Sequence, residues 1–150
     1  MTLTSGDGEK LIAWYVAPKV TKALIIYFHG NAGSLDLRAG RFKWVVEDGT
    51  GLLALSYRGY GGSTGKPTET GLISDGMAAY DFVLARFPAR NIVLWGESIG
   101  TGVAVAVSRG TRDRSAVILD APFTPLADSG GRRLSVRAGA LVDQGPLSIR

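Results

Sequence analysis

Short apolar runs, most of them followed directly by a loop of glycine and polar residues, recur along this chain and constrain its fold more than any other feature. The runs are ALIIYF (23–28), LLALSY (52–57), NIVLW (91–95) and AVILD (116–120). They are rich in strand-forming residues and lack strict polar–apolar alternation, which indicates strands covered on both faces, as in a parallel sheet. An earlier run, LIAWYVAP (11–18), predicts another strand that Pro18 ends.

Segments of helical character separate these runs. One helix is expected within residues 34–48, and Thr68 is well placed to cap a second. The predicted core stripe of that second helix consists of Ile73, Met77, Tyr80, Leu84 and Phe87. Strands alternating with helices predict one α/β domain over residues 1–150, with a mostly parallel, doubly wound sheet and helices on both faces. The tail, residues 127–150, is atypical: it has no clear strand and little periodicity.

Composition excludes several classes of function. The chain has no cysteine and no cluster of metal ligands, so neither a metal nor another cofactor is expected. Its formal net charge is +4, but the basic residues are scattered without interleaved aromatic residues, and no nucleic-acid partner is expected. No apolar window is long enough to span a bilayer, and the N-terminus lacks the pattern of a secretory signal. Cytoplasm is therefore the expected location.

The motif GESIG (96–100) follows the run NIVLW and precedes the small-residue segment GTGVAVAV. A strand, a tight turn and a helix are the context in which G-x-S-x-G exposes a nucleophilic serine, because the glycines let strand and helix approach closely. We therefore predict Ser98 as a nucleophile. The alternative is an ordinary serine that caps the start of the helix.

A second motif, HGNAG (29–33), follows the run ALIIYF and predicts an oxyanion hole, since acyl transfer needs preorganised hydrogen-bond donors. The expected donors are the backbone N–H groups of Asn31 and Ile99. His29 is the only histidine; its place beside this turn favours a structural role in shaping the loop over a role as general base. Asp120 ends a predicted strand at the same edge and is a weak candidate for the acid, the alternative being a carboxylate that anchors a loop. Asp75 and Asp81 are expected to be solvated.

The glycine-rich loop RGYGGSTGKP (58–67) raises a nucleotide-binding alternative. A P-loop needs glycine where Tyr60 stands and Ser or Thr where Pro67 stands, and Thr64 occupies the third glycine position of the dinucleotide fingerprint. The loop therefore favours a turn over a phosphate site.

Four segments in this order, YFHGNAG, SYRGYGGSTGKP, LWGESIGTGVA and DAPFTPLAD, resemble the α/β-hydrolase superfamily. The most similar branch comprises α/β-hydrolase-domain-containing proteins with HGNAG and GESIG signatures, which are similar to serine-aminopeptidase-like hydrolases and include depalmitoylases. The resemblance implies an eight-stranded sheet, a triad in the order Ser, Asp or Glu, His, and a small-molecule or acyl substrate whose ester, thioester or amide bond is cleaved.

The part of the pattern that follows Ser98 is shortened. No histidine lies among the 52 residues after it, which are also too few for the last two strand–helix units. We expect the base and the acid to be missing, and the strand at 116–120 to form an open edge that favours oligomers. Two functions stay open: a serine hydrolase, or a truncated non-catalytic α/β domain that acts as a binding or assembly module or is a relic.

Overall fold

A computed structural model describes residues 1–31, 34–111 and 116–121 together with the backbone of 141–142. The strands in these residues are β1 (Thr2–Thr4), β2 (Lys10–Val16), β3 (Leu24–Phe28), β4 (Gly51–Leu55), β5 (Ile92–Glu97), β6 (Ala116–Asp120) and β7 (Leu141–Val142). The α-helices are α1 (Ala39–Val46), α2 (Glu69–Leu84) and α3 (Ile99–Gly110), and short 3-10 helices occupy Leu35–Arg38 and Ala89–Asn91.

The strands form one mixed sheet in the order β1-β2-β4-β3-β5-β6-β7. Its four neighbouring strands β4, β3, β5 and β6 are parallel, as the continuously apolar runs predict. The flanking strands β1, β2 and β7 pair antiparallel. Because β3, β5 and β6 run in the same direction, their carboxyl ends meet at one edge of the sheet.

The tail contains a strand that the sequence did not predict. Leu141 and Val142 pair with Ile118 and Val117 of β6, so the expectation of an open edge along all of β6 is wrong at these two positions. A two-residue strand is too short to produce a periodic signal, which explains the omission. The rest of the tail from 127 to 150 lies outside the described residues.

Helices cover both faces of the sheet, as predicted. Leu35, Phe42 and Val45 pack on Tyr27 and Leu52 from one face. Helices α2 and α3 pack on the opposite face of the sheet. The strand side chains buried on that face include Ile26, Phe28, Leu53, Ile92 and Leu94. Burial on both faces explains why the strands read as unbroken apolar runs.

Helix α2 begins where the sequence predicts, but the face that it buries differs from the predicted one. Thr68 caps it, its hydroxyl accepting from the Gly71 N–H at 3.1 Å. Of the predicted stripe Tyr80 is buried, while Leu84 is exposed. The buried face instead includes Gly76, Ala79 and Val83, because small residues let α2 approach α3: a Cβ on Gly76 would lie 2.7 Å from Val103 Cγ1.

Asp75 is fully buried, so the expectation that it is solvated is wrong, whereas Asp81 is exposed as expected. The Asp75 carboxylate accepts from the buried Arg58 guanidinium, through Nε at 3.0 Å and Nη2 at 2.8 Å, and from the Arg58 backbone N–H at 2.8 Å. Arg58 also donates to Asp7 at 2.6 Å. The two aspartates therefore tie the N-terminal turn and α2 to the loop after β4.

None of the helices in the part of the chain that the structure describes is long and apolar enough to cross a membrane. The cytoplasmic location stays a prediction.

Candidate functional site

Ser98 lies in the turn between β5 and α3 with φ 52° and ψ −117°. A non-glycine residue rarely adopts this conformation, which costs about 1–3 kcal/mol and persists only where the surroundings enforce it. The surroundings here are two backbone crossings without side chains. A Cβ on Gly96 would overlap the Gly100 carbonyl oxygen and lie 2.6 Å from Thr101 Cα, and a Cβ on Gly100 would overlap the Phe28 carbonyl oxygen.

The Ser98 side chain does not cap α3, which argues against the alternative of an ordinary capping serine. Its backbone carries the local hydrogen bonds instead. The Ser98 N–H donates to the Asp120 carbonyl at 2.9 Å, and the Ser98 carbonyl accepts from the Thr101 N–H at 3.0 Å and the Thr101 hydroxyl at 2.6 Å. The turn is thus fixed from both sides, while Ser98 itself stays partly exposed.

The loop after β3 packs directly against this turn. A Cβ on Gly30 would lie 3.2 Å from Ser98 Cβ, so the chain passes close to the serine at a residue without a side chain. The next residue, Asn31, is exposed, and its Oδ1 accepts from the Tyr60 hydroxyl at 2.8 Å. The backbone N–H groups of Asn31 and Ile99 have no acceptor among the described residues.

His29 is buried beneath the loop, with only 1% of its surface exposed. Its Nδ1 lies 2.6 Å from the Gly30 carbonyl oxygen, and the Tyr57 N–H points to its Nε2 at 3.5 Å. Burial lowers the pKa of the imidazole below its ordinary value, so the neutral form is favoured. The contacts are those of a residue that shapes the loop, with both ring nitrogens engaged.

Glu97, the residue before Ser98, is the centre of a polar network that the sequence analysis did not predict. Arg38 binds its carboxylate with two hydrogen bonds, Nε to Oε2 at 2.9 Å and Nη2 to Oε1 at 2.7 Å. The Tyr27 hydroxyl donates to the same carboxylate, and Arg41 approaches it at 3.4 Å. No sequence signal brings these residues together, since Arg38 and Glu97 are separated by most of two strand–helix units.

Asp120 lies opposite Glu97 in the register of β5 and β6, at the edge where the sequence places it. Its carboxylate forms an ion pair with Arg41 at 2.9 Å. Arg41 thereby joins Asp120 to Glu97. Among the described residues no group of three or more His, Cys, Asp and Glu side chains could hold a metal ion.

The hydrogen bonds from Arg38, together with the one from the Tyr27 hydroxyl, hold the pKa of Glu97 at about 2, below the ordinary 4.5. Because the pKa is lower in the folded state, Glu97 contributes stability that is present above about pH 4.5 and is lost as the pH falls toward 2. We expect the free energy of unfolding, measured in urea at about pH 5 and about pH 3, to fall more for the wild type than for Glu97→Gln. Equal losses would contradict this role of the carboxylate.

A strand order of β1-β2-β4-β3-β5-β6-β7 with a strained serine between β5 and α3 defines the α/β-hydrolase class. Residues 19–143 match the family model described as serine aminopeptidase, S33. The chain belongs to this family of α/β-hydrolases.

Individual relatives agree with this assignment. The chain is 37% identical over 134 residues to Protein ABHD12B from Homo sapiens, covering 82% of this chain and 37% of that protein. It is 36% identical over 122 residues to lysophosphatidylserine lipase ABHD12 from Macaca fascicularis, covering 77% and 31%. An esterase from Pyrococcus furiosus has the same fold, with a TM-score of 0.70 at 23% identity over 81% of this chain and 48% of that chain. The chain thus spans about a third of the length of these curated relatives.

Proposed function

We propose that this chain supplies the nucleophile and the oxyanion hole of a serine hydrolase. The observation that carries the proposal is the backbone of Ser98, whose φ of 52° is held by contacts that tolerate only glycine at positions 96 and 100. Strain of this kind concentrates at functional sites, because it serves to expose a reactive side chain. In the reaction, Ser98 Oγ attacks the substrate carbonyl carbon and passes its proton to a base.

The negative charge that then develops on the carbonyl oxygen needs donors that are already in place. We assign this role to the backbone N–H groups of Asn31 and Ile99. Both belong to segments that pack against Ser98, and neither has another acceptor within the described residues. The Ile99 N–H also lies at the N-terminus of α3, where the helix dipole favours negative charge. His29, bound to the Gly30 carbonyl, shapes the loop.

The base is not His29 in this proposal, because its ring is buried and both of its nitrogens are engaged. The sequence has no second histidine. Asp120 is also occupied, by Arg41. We therefore place the base and the acid on a polypeptide segment outside these residues. The leaving group takes up the proton from that base, and water then releases the acyl group from Ser98 Oγ.

The names of two relatives support a substrate class. They are lysophosphatidylserine lipase and esterase, and both names point to hydrolysis of an ester bond. A carboxylic ester, including a lipid ester, is the substrate we propose, with thioesters and amides as alternatives that the same attack and the same oxyanion hole would serve.

A second function, a non-catalytic binding or assembly module, is favoured by one observation. The only histidine of the sequence is fixed in hydrogen bonds to the backbone, which leaves Ser98 without a base from this chain. A serine hydroxyl without a base is a weak nucleophile. Within the described residues β7 pairs with β6 at two positions, and the rest of that edge is where a partner strand would pair in an assembly.

Chemical rescue separates the two functions. The chain is exposed to a fluorophosphonate probe with increasing concentrations of imidazole, which can replace a missing histidine base. We expect labelling that rises with imidazole and is absent in Ser98→Ala, while circular dichroism shows that the variant is folded. Loss of the hydroxyl removes the nucleophile and leaves the backbone contacts in place.

Labelling that is equal in the wild type and in Ser98→Ala at every imidazole concentration would refute the hydrolase proposal and favour the non-catalytic module. Labelling of the wild type without imidazole would contradict the assignment of the base to another segment. His29 is the one histidine in the sequence, so it would then have to be considered as the base.

A further inference from the structure

We infer that Arg38 and Glu97 are positioning residues whose ion pair holds the loop after β3 against the turn that carries Ser98. The inference rests on the proposed function, in which one oxyanion donor belongs to each of these two segments. The Asn31 N–H lies in the loop, and the Ile99 N–H begins α3. Their separation is therefore set by whatever fixes the loop to the turn.

Among the described residues of the loop, Gly30 packs directly against the residues of the turn. There a Cβ would lie 3.2 Å from Ser98 Cβ and 3.3 Å from Glu97 Oε1. A glycine contact of this kind permits close approach but supplies little attraction, because glycine has no side chain to bury. A directional interaction is needed to keep the loop in place.

Arg38 supplies that interaction. Its planar guanidinium binds Glu97 at two atoms, which fixes both the distance and the angle between the groups. Its Nη1 also lies 3.4 Å from the Ser34 carbonyl oxygen, in the loop itself. The Arg38 side chain is only 11% exposed and that of Glu97 only 22%, so water screens the pair weakly.

Glu97 is itself held from other elements, which makes it a fixed anchor. The hydroxyl of Tyr27, a buried residue of β3, donates to its carboxylate, and Arg41 of α1 links the carboxylate to Asp120 of β6. Since Glu97 is the residue directly before Ser98, a force on the carboxylate is transmitted to the turn through one peptide bond. The ion pair thus connects the loop to the strained backbone of the nucleophile.

The test compares Glu97→Gln and Arg38→Met with the wild type and with Arg38→Lys. Gln keeps the shape of the carboxylate without its charge, and Lys keeps the charge of Arg38 without its two-atom fork. Lys22→Met is the matched control, because it removes the exposed ion pair between Lys22 and Asp48, which involves neither Arg38 nor Glu97. The first readout is the imidazole-dependent labelling of Ser98, separated into the rate constant and the half-saturating probe concentration.

We expect Glu97→Gln and Arg38→Met to lower the rate constant about 10- to 100-fold, because a misplaced donor stabilises the charged oxygen poorly. The half-saturating concentration should change less than about twofold, since the ground state of the probe gains little from the oxyanion hole. Arg38→Lys should lie between the wild type and Arg38→Met, and Lys22→Met should match the wild type. Unchanged rate constants in Glu97→Gln and Arg38→Met would overturn the inference.

The second readout does not depend on activity and so separates this inference from the proposed function. Nitrogen-15 relaxation gives the order parameters of the Gly30 and Asn31 N–H vectors, which should fall from about 0.85 to below about 0.6 in Arg38→Met. The vectors of Ile26 and Leu94 in the sheet should not change. If the wild type never labels, the hydrolase proposal fails while this measurement still decides the role of the pair. Rigid loop vectors in Arg38→Met, or an equal loosening of the sheet, would contradict a positioning role.

Discussion

Asp75→Ala is expected to lower the free energy of unfolding by about 3–5 kcal/mol. The reason is the guanidinium that the substitution leaves behind. Arg58 is only 7% exposed, and its carboxylate partner Asp75 is fully buried. Without Asp75, the Arg58 backbone N–H and Nε lose the acceptors that they bind at 2.8 and 3.0 Å. Asp7 remains as a partner on the outer side only, so part of a buried charge becomes uncompensated.

Urea unfolding followed by circular dichroism measures this loss. Lys22→Met serves as the control, because it also breaks one ion pair but leaves only the exposed carboxylate of Asp48, which water solvates. We expect Lys22→Met to change the free energy of unfolding far less than Asp75→Ala. A loss in Asp75→Ala no greater than in the control would show that the buried pair does not hold α2 to the loop after β4.

Gly100→Ala is expected to destabilise the fold by about 3 kcal/mol or more, the upper end of what overpacking causes. The added methyl group would overlap the Phe28 carbonyl oxygen and lie 2.7 Å from the Phe28 carbonyl carbon and 2.9 Å from the His29 carbonyl oxygen. These atoms are backbone, so no side chain can rotate away. Relief requires β3 and α3 to separate, and that movement would also displace the loop that contains Asn31.

Gly40→Ala is the matched control, because nothing lies within 4 Å of a Cβ at that position in α1. We expect it to raise the free energy of unfolding by up to about 1 kcal/mol, since alanine is the better helix former. Thermal unfolding of both variants makes the comparison. A Gly100→Ala protein that unfolds at the temperature of the wild type would mean that the crossing of β3 and α3 is looser than described.

Five of the seven described strands, β2 to β6, were predictable, and burial on both faces leaves a direct trace of the parallel ones in the sequence; the short strands β1 and β7 were not predicted. Residues 24–28 and 116–120 form strands within one residue of the predicted bounds. The face of α2 was not predictable from apolar residues alone. Its buried face includes Gly76, which carries no hydrophobic signal but lets Val103 approach.

Polar burial was the other feature that the sequence concealed. Asp75 reads as a solvated helix residue, because its partner Arg58 lies 17 positions upstream in a loop. The same holds for Glu97, whose partner Arg38 is 59 positions away. By contrast the strand, the turn and the helix around Ser98 were predictable from local context, since a motif of five residues fixes them. Local backbone geometry can be predicted from a short stretch of sequence, whereas ion pairs between residues far apart in the chain cannot.

The backbone of Ser98 also has an evolutionary meaning. Glycine adopts a conformation near φ 52° and ψ −117° more readily than serine does, so a lineage that no longer used the hydroxyl would gain stability by mutating this position to glycine. Selection for stability alone therefore pushes away from serine here. Serine at this position is therefore what a site that uses its hydroxyl would keep, at the cost of the strain in its backbone.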